Sequence, residues 1–382
     1  MEYLRRWGPM LVVIVLTLAM QVYVARRLSN HAAMRRSRVL QTGLLAALVL
    51  ASVWMAVLVP YCMQHESQLF PPALVTWLMA LSLAWVIAMI SATLLARLSP
   101  PPQFDPSRRR LLAMTAPVVA AAPLLSAGFG AVVARAGARL EEIDVWIPGL
   151  PADLRGIRLV QLTDIHYGPF FGRAELERAV AMANETRAHL AFITGDLITR
   201  RGDNLDGCLQ VLRNLRAEAG VFGCHGNHED YAGAKRYVTA QAALMGFRFL
   251  RQQASPLKFG SSTLNLVGYD YQRMGGPQLE DAESMVRPGA VNLLLSHSPA
   301  VFPRAAAAGF QLTLAGHTHG GQVNVEILSD HLNVARLFTP YVKGAYSLGN
   351  SRLYVSSGLG TVGVPVRLGA PPEVSLIRLC GA

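Results

Sequence analysis

Thiols are scarce in this 382-residue chain, and the four cysteines, Cys62, Cys208, Cys224 and Cys380, fall at no metal-binding spacing. That excludes a cysteine-built metal site. Two readings of Cys208 and Cys224 stay open: a disulfide, if their segment lies in an oxidising compartment, or free thiols with Cys224 beside a functional site. Charge is sparse as well, at 15% of residues, and it is missing altogether from residues 10–25, 40–61, 73–96 and 111–134. Each run is about long enough to cross a hydrocarbon core at about 1.5 Å per helical residue. Four such runs in the first third of a chain are hard to bury in one folded domain. The later sequence has no basic run and no aromatic-interleaved patch, so no nucleic-acid partner is expected despite the net charge of +11. No internal repeat or low-complexity tail appears.

The surplus arginines flank the uncharged runs. Arg26, Arg27, Arg35, Arg36 and Arg38 follow the first, and Arg97, Arg108, Arg109 and Arg110 follow the third. The segment between the second and third has Glu66 and neither lysine nor arginine. The positive-inside rule puts the first and third linkers in the cytoplasm, and the amino terminus and everything after residue 134 outside. Arg5 and Arg6 argue the other way, two arginines against nine. Ser107-Arg108-Arg109-Arg110-Leu111-Leu112, before an alanine-rich run, also resembles a twin-arginine export signal placed internally, with Ala136-Gly137-Ala138 as a processing site. The same arginines suit an anchor at the cytoplasmic end of a fourth span. The expected organisation is a membrane region of about four transmembrane helices over 1–138, a charged connector over 139–156, and a folded domain over 157–382.

Within that domain, hydrophobic periodicity predicts strands at 157–162, 190–194 and 221–224, alternating with helices at 173–186, 205–219 and 237–245. Short strands follow at 257–259, 264–268, 291–295, 312–315, 322–327, 352–356 and 374–379, with fewer helices. Two packed sheets with helices outside accommodate this order better than one doubly wound sheet. Five apolar runs end in chemistry-bearing residues. They lead into Asp164-Ile165-His166, Gly195-Asp196, Gly226-Asn227-His228-Glu229, Ser296-His297 and Gly316-His317-Thr318-His319. Asp, Asn and His at the ends of successive strands are the pattern of a metal centre in a layered α/β domain.

Those five motifs, in that order, resemble the calcineurin-like metallophosphoesterase superfamily, in particular its membrane-anchored or exported bacterial branch. The tail from Gly358-Leu359-Gly360-Thr361 through Arg367 to Pro371-Pro372-Glu373 is similar to that branch too. The resemblance implies an α/β fold in which a multi-span helical membrane region precedes a two-sheet sandwich flanked by helices, in α-β-β-α layers. It implies a multi-pass protein of the bacterial inner membrane with its catalytic domain on the extracytoplasmic side. It further implies two divalent ions, with Asp164, His166, Asp196 and His319 on the first and Asp196, Asn227, His297 and His317 on the second. Asp196 would bridge them. Mixed imidazole, carboxylate and amide ligation suits Mn, Fe, Zn or Ni.

In that scheme a hydroxide held by the metals attacks phosphorus, and His228 protonates the leaving group or steadies the transferring phosphoryl. Glu229 is expected to orient a histidine. Gly195, Gly226 and Gly316 are expected to supply tight turns, and Gly320 and Gly321 a close approach to phosphate. Tyr167, Phe170 and residues 272–276 are read as shaping the entrance, while His225 has no assigned role. The expected activity is hydrolysis of a phosphodiester, phosphomonoester or pyrophosphate, with a cell-envelope lipid or nucleotide-linked lipid as a candidate substrate. The rival reading is a non-enzymatic membrane sensor or scaffold that uses the metal site as a ligand-binding switch.

Overall fold

The computed structural model describes residues 2–29, 37–58, 72–98, parts of 118–134, and 137–381 apart from 273–278, 325–332 and 364. It divides into two compact units, Met1–Phe129 and Gly130–Ala382.

In the first unit, helix α1 spans Glu2–Ser29 and α2 spans Arg38–Val53, continued by a π turn at Trp54–Leu58. Helix α3 spans Pro72–Leu98. The first three uncharged runs therefore fold as helix. Polar bonds tie them together: Ser52 Oγ donates to Gln21 Oε1 at 2.8 Å and Trp54 Nε1 to Ser82 Oγ at 2.7 Å. Among the described residues no helix is long and apolar enough to cross a membrane. Half of the fourth run, the twin-arginine-like segment, Cys62 and Glu66 lie outside the described residues.

The second unit holds two six-stranded sheets. The first is built from β1 (Arg139–Ile147), β2 (Arg158–Leu162), β3 (Leu190–Ile193), β4 (Val221–Gly223), β5 (Arg248–Phe249) and β12 (Glu373–Gly381), in the order β1-β12-β2-β3-β4-β5. Strands β2 to β5 run parallel, and β12 is antiparallel to β2. The second sheet has the order β10-β11-β9-β8-β7-β6, from β6 (Gln253–Phe259), β7 (Ser262–Tyr269), β8 (Val291–Ser296), β9 (Leu312–Ala315), β10 (Gly344–Leu348) and β11 (Ser351–Val355). Its four central strands, β11, β9, β8 and β7, are mutually parallel.

Strand alternation sorts the side chains into layers. Leu159, Leu190 and Phe192 of the first sheet meet Leu264, Leu266, Leu293, Leu295, Leu312 and Leu314 of the second in one shared core. The intervening residues Val160, Leu162, Ala191 and Ile193 face outward, onto helices α4 (Arg173–Glu185), α5 (Leu205–Leu212) and α7 (Lys235–Leu244), beyond the short α6 (Asn227–Tyr231). Val267 and Leu294 of the second sheet pack on Ala305 and Ala308 of α9 (Phe302–Ala308), with Ala282 of the short α8 (Ala282–Met285) alongside. The layers are thus α-β-β-α, as expected.

Three expectations change. The supposed connector at 139–156 carries β1, which pairs in parallel with β12 along its whole length and adds an edge to the first sheet. Its outer face is charged (Glu142, Asp144) and its exposed half hides the apolar alternation, as suits an edge strand. Helix α5 stops at Leu212 because residues 213–220 turn back to lie on the start of β3, where Ala219 N donates to His189 O at 2.7 Å. The strand expected at 322–327 is reduced to isolated bridges at Val323 and Asn324, its remainder being outside the described residues.

Phe192 is fully buried between the sheets. Phe192→Ala is expected to lower unfolding free energy by about 3–5 kcal/mol, read as a lower urea midpoint at unchanged slope.

Candidate metal centre

All the motif residues lie just past the ends of β2, β3, β4, β8 and β9, where neighbouring parallel strands deliver them to one edge of the sandwich. Below them Gln161, buried on β2, fixes the two sheets to each other. Its Nε2 donates to Thr194 Oγ1 at 2.7 Å and across the sandwich to Ala315 O at 3.0 Å.

Three groups of side chains bring their ligand atoms within 4.8 Å of one another: Asp164, His166 and His319; His166, Asp196 and His228; and Asp196, His297 and His317. The first and third are the cores of the two sets expected for the two ions. The middle one puts His228 on the His166 side. Asp196 is common to two groups. Its Oδ2 lies 3.0 Å from His297 Nε2, 3.6 Å from His166 Nε2 and 3.9 Å from His228 Nε2, while its Oδ1 accepts the His228 backbone N–H at 3.0 Å. Asp164 accepts the His317 backbone N–H on both oxygens, at 3.1 and 3.0 Å, and the Thr163 hydroxyl at 2.8 Å. His319 Nε2 stands 3.3 Å from Asp164 Oδ1 and 3.1 Å from His166 Nε2.

These residues fit divalent cations. Asn227 Oδ1 is buried and has no hydrogen-bond partner. Such an orphan is costly unless a ligand completes it. His297 Nδ1–H donates to Thr194 O at 2.7 Å, which turns Nε2 onto the Asp196 carboxylate, where a cation would displace its proton. Burial, helped by neighbouring imidazoles, drives His166 and His319 well below the ordinary histidine range, so both imidazoles are neutral. His317 falls to about 4 through burial and the charge on His297. Burial opposes a charge on His297, but Asp196 and Asp164 outweigh it and push His297 up to about 10. Burial raises Asp164 to about 6; for Asp196 the imidazoles of His297 and His228 outweigh burial and hold it well below the carboxylate range.

The backbone here is unusual. Asp164 (φ 51°), His166 (45°), Asp196 (55°), His317 (74°) and His319 (52°) all adopt left-handed conformations. Each costs about 1–2 kcal/mol for a residue with a side chain, and such strain concentrates at sites the surrounding fold over-determines. Part of that determination is Glu229. It orients no histidine. Its Oε2 accepts from Asp196 N at 2.9 Å and Gly226 N at 2.8 Å, and its Oε1 from Leu197 N at 2.7 Å. A buried carboxylate therefore clamps the backbone that carries Asp196.

The glycines also act differently from expectation. Gly226 and Gly316 serve close approach, because a Cβ would sit 2.1 Å from Asp196 Oδ1 at the first and 2.2 Å from Asp164 Oδ2 at the second. At Gly320 and Gly321 a Cβ would collide with Ser357 and Asn333, so the protein itself occupies the space expected for phosphate. His225 is a core residue: buried, bonded through Nε2 to Thr239 Oγ1 at 2.8 Å and lowered to about 3 by burial. Tyr167 packs into the helix-side core, away from any entrance, and 273–276 lie outside the described residues. The aromatic neighbour is Tyr271, whose ring centroid lies 5.5 Å from that of His317 and 6.3 Å from that of His297. Cys208 and Cys224 are buried free thiols.

Sequence reasoning assigned no role to Arg367, which is fully buried. It donates through Nε to Gly360 O at 2.9 Å, through Nη1 to Ala370 O at 3.0 Å and through Nη2 to Ser357 O at 2.9 Å. Its Nη2 lies 3.4 Å from His319 Nδ1. It holds the tail 357–370 in a loop whose Leu359 and Gly360 amides donate to Thr163 O and Asp164 O. The signal was one arginine in a glycine- and proline-rich tail.

Gly226→Ala is expected to displace the Asp196 carboxylate and weaken ion binding at least tenfold. Metal analysis after dialysis, with circular dichroism to confirm folding, checks this; a folded variant retaining wild-type metal content contradicts it.

Residues 157–321 match the calcineurin-like phosphoesterase family. An uncharacterized metallophosphoesterase of Campylobacter jejuni is 30% identical over 245 residues, 63% of this chain and 63% of that protein. The transmembrane protein with metallophosphoesterase domain of Danio rerio is 28% identical over 264 residues, covering 66% of this chain and 59% of its own length. Phosphodiesterase YaeI of Escherichia coli is 27% identical over 281 residues, 72% of this chain and 99% of that protein. With its two-sheet fold and a histidine–aspartate cluster at the strand ends, the second compact unit carries, over residues 157–321, a calcineurin-like phosphoesterase domain.

Proposed function

We propose that the 139–381 domain hydrolyses phosphate esters with two divalent ions held by Asp164, His166, Asp196 and His319 on one side and Asp196, Asn227, His297 and His317 on the other. The observation that carries this reading is the orphaned buried oxygen Asn227 Oδ1 beside a carboxylate, Asp196, shared between two histidine clusters. Divalent cations there would supply Lewis acidity toward phosphoryl oxygens and acidify an attacking water.

The chain's own residues do the rest. Thr194 O fixes the His297 tautomer, Glu229 fixes Asp196, and the Thr163 hydroxyl with the His317 amide fixes Asp164. His228 differs from the buried imidazoles of His166 and His297. Its Nδ1–H donates to Thr199 O, its Nε2 faces Asp196, and its side chain is 16% exposed where those of His166 and His297 are 0% exposed. A histidine open to solvent at the rim suits proton transfer to a leaving-group oxygen.

The membrane reading is also part of the proposal. Helix α3 carries one charge, Arg97, in 27 residues, and the Danio rerio relative is named as a transmembrane protein. The fourth run and the arginine linkers supply the remaining support, from sequence alone. A domain held at a bilayer favours an amphipathic phosphate ester, such as an envelope lipid, as substrate. The ligand set suits Mn, Fe, Zn or Ni.

Purified full-length chain supplied with Mn²⁺ is expected to cleave chromogenic phosphate mono- or diesters. Asp196→Ala is expected to lose both ions and at least a thousandfold in turnover. His228→Asn is expected to keep both ions while kcat falls about 10²–10⁴-fold. Well-metallated protein inert on both ester types overturns the reading and favours a ligand-binding switch.

A further inference from the structure

Next to His317 the domain has a cavity of about 270 Å³ that phosphate chemistry does not require. Pro299, Ala300, Thr318, Ala335 and Phe338 contribute to its walls, which are mainly apolar and, among the described residues, include no Asp, Glu, Lys or Arg. A phosphate group needs donors and cations, whereas such walls favour hydrocarbon. At the same place the turn after Asn333 leaves two large apolar side chains in solvent, Leu337 at 81% and Phe338 at 60% exposure.

The cavity is built onto the ligand loop itself. One wall is His317 and Thr318, and the Thr318 hydroxyl donates to Val342 O. The opposite wall is the 3-10 turn Val334–Leu337, started by Asn333, whose Oδ1 accepts from Ala335 N at 3.0 Å and whose Nδ2 donates to Gly320 O at 3.3 Å. Both walls are therefore fixed relative to His317 and His319.

We propose that this cavity is a substrate subsite that receives the apolar chain of an amphipathic phosphate ester whose phosphate is held at the Asp164–Asp196–His317 centre. The proposal rests on the phosphoesterase reading and adds a specificity determinant to it. Ala300 and Ala335 are the residues whose small size keeps the subsite open. Phe338 and Leu337 form its apolar rim, where a chain enters from a lipid surface or micelle.

Full-length protein with Mn²⁺ and methyl, butyl and octyl p-nitrophenyl phosphodiesters, each below its aggregation threshold, tests this. The expected result is a kcat/KM that rises about threefold to fourfold for each methylene buried. Ala335→Phe, and independently Ala300→Leu from another segment of the lining, are expected to bring the octyl-to-methyl ratio toward one. A flat series in the unmodified protein, with all three esters cleaved, overturns the subsite and leaves the phosphoesterase reading intact. Cleavage of none of the three diesters overturns the subsite, and if p-nitrophenyl phosphate is also left intact it overturns the phosphoesterase reading. A steep series that survives both folded variants places the chain elsewhere and overturns the subsite.

Discussion

The Asp196 carboxylate is the point on which this domain's chemistry depends. It is buried, and its two oxygens meet an amide N–H of one loop and imidazoles from three. A buried carboxylate is expensive unless charge and hydrogen bonds compensate it. Here imidazoles surround it and keep it ionised. The same crowding gathers His166 and His228 on one side of the carboxylate and His297 and His317 on the other. Removing that carboxylate would leave histidines facing one another without a counter-charge.

The fold exists to make this crowding rigid. Parallel strands β2, β3 and β4 of one sheet, and β8 and β9 of the other, end at one edge, so residues more than a hundred positions apart become neighbours. Gln161 locks the sheets directly beneath them. Left-handed backbone at five of the ligands turns the side chains inward, at a cost met by the clamps of Glu229 and Arg367 and by the packed core below. Glycine without a Cβ at 226 and 316 lets the loops close to hydrogen-bonding distance of Asp196 and Asp164.

The residues that meet at the strand ends were legible because each sits close after a short apolar strand, where an Asp, Asn or His has no packing reason to stand. The layered architecture was legible from strand alternation and the change of period after residue 245. What stayed hidden depends on proximity. Strand β1 was masked by Glu141, Glu142 and Asp144, which an edge strand tolerates and a composition reading takes for a linker. Arg367 lies 48 residues beyond the histidine it touches, and nothing local distinguishes it from a surface arginine. Glu229 shows the same limit. Its place beside His228 suggested a histidine partner, while folding turned it toward three backbone amides of neighbouring loops.

The most direct measurement is a crystal structure of Mn²⁺-loaded protein with anomalous data at the manganese edge. Two peaks about 3.5–4 Å apart, with one Asp196 oxygen within about 2.3 Å of each, are predicted. A single peak, or two ions with the Asp196 carboxylate turned away from one of them, would contradict the account.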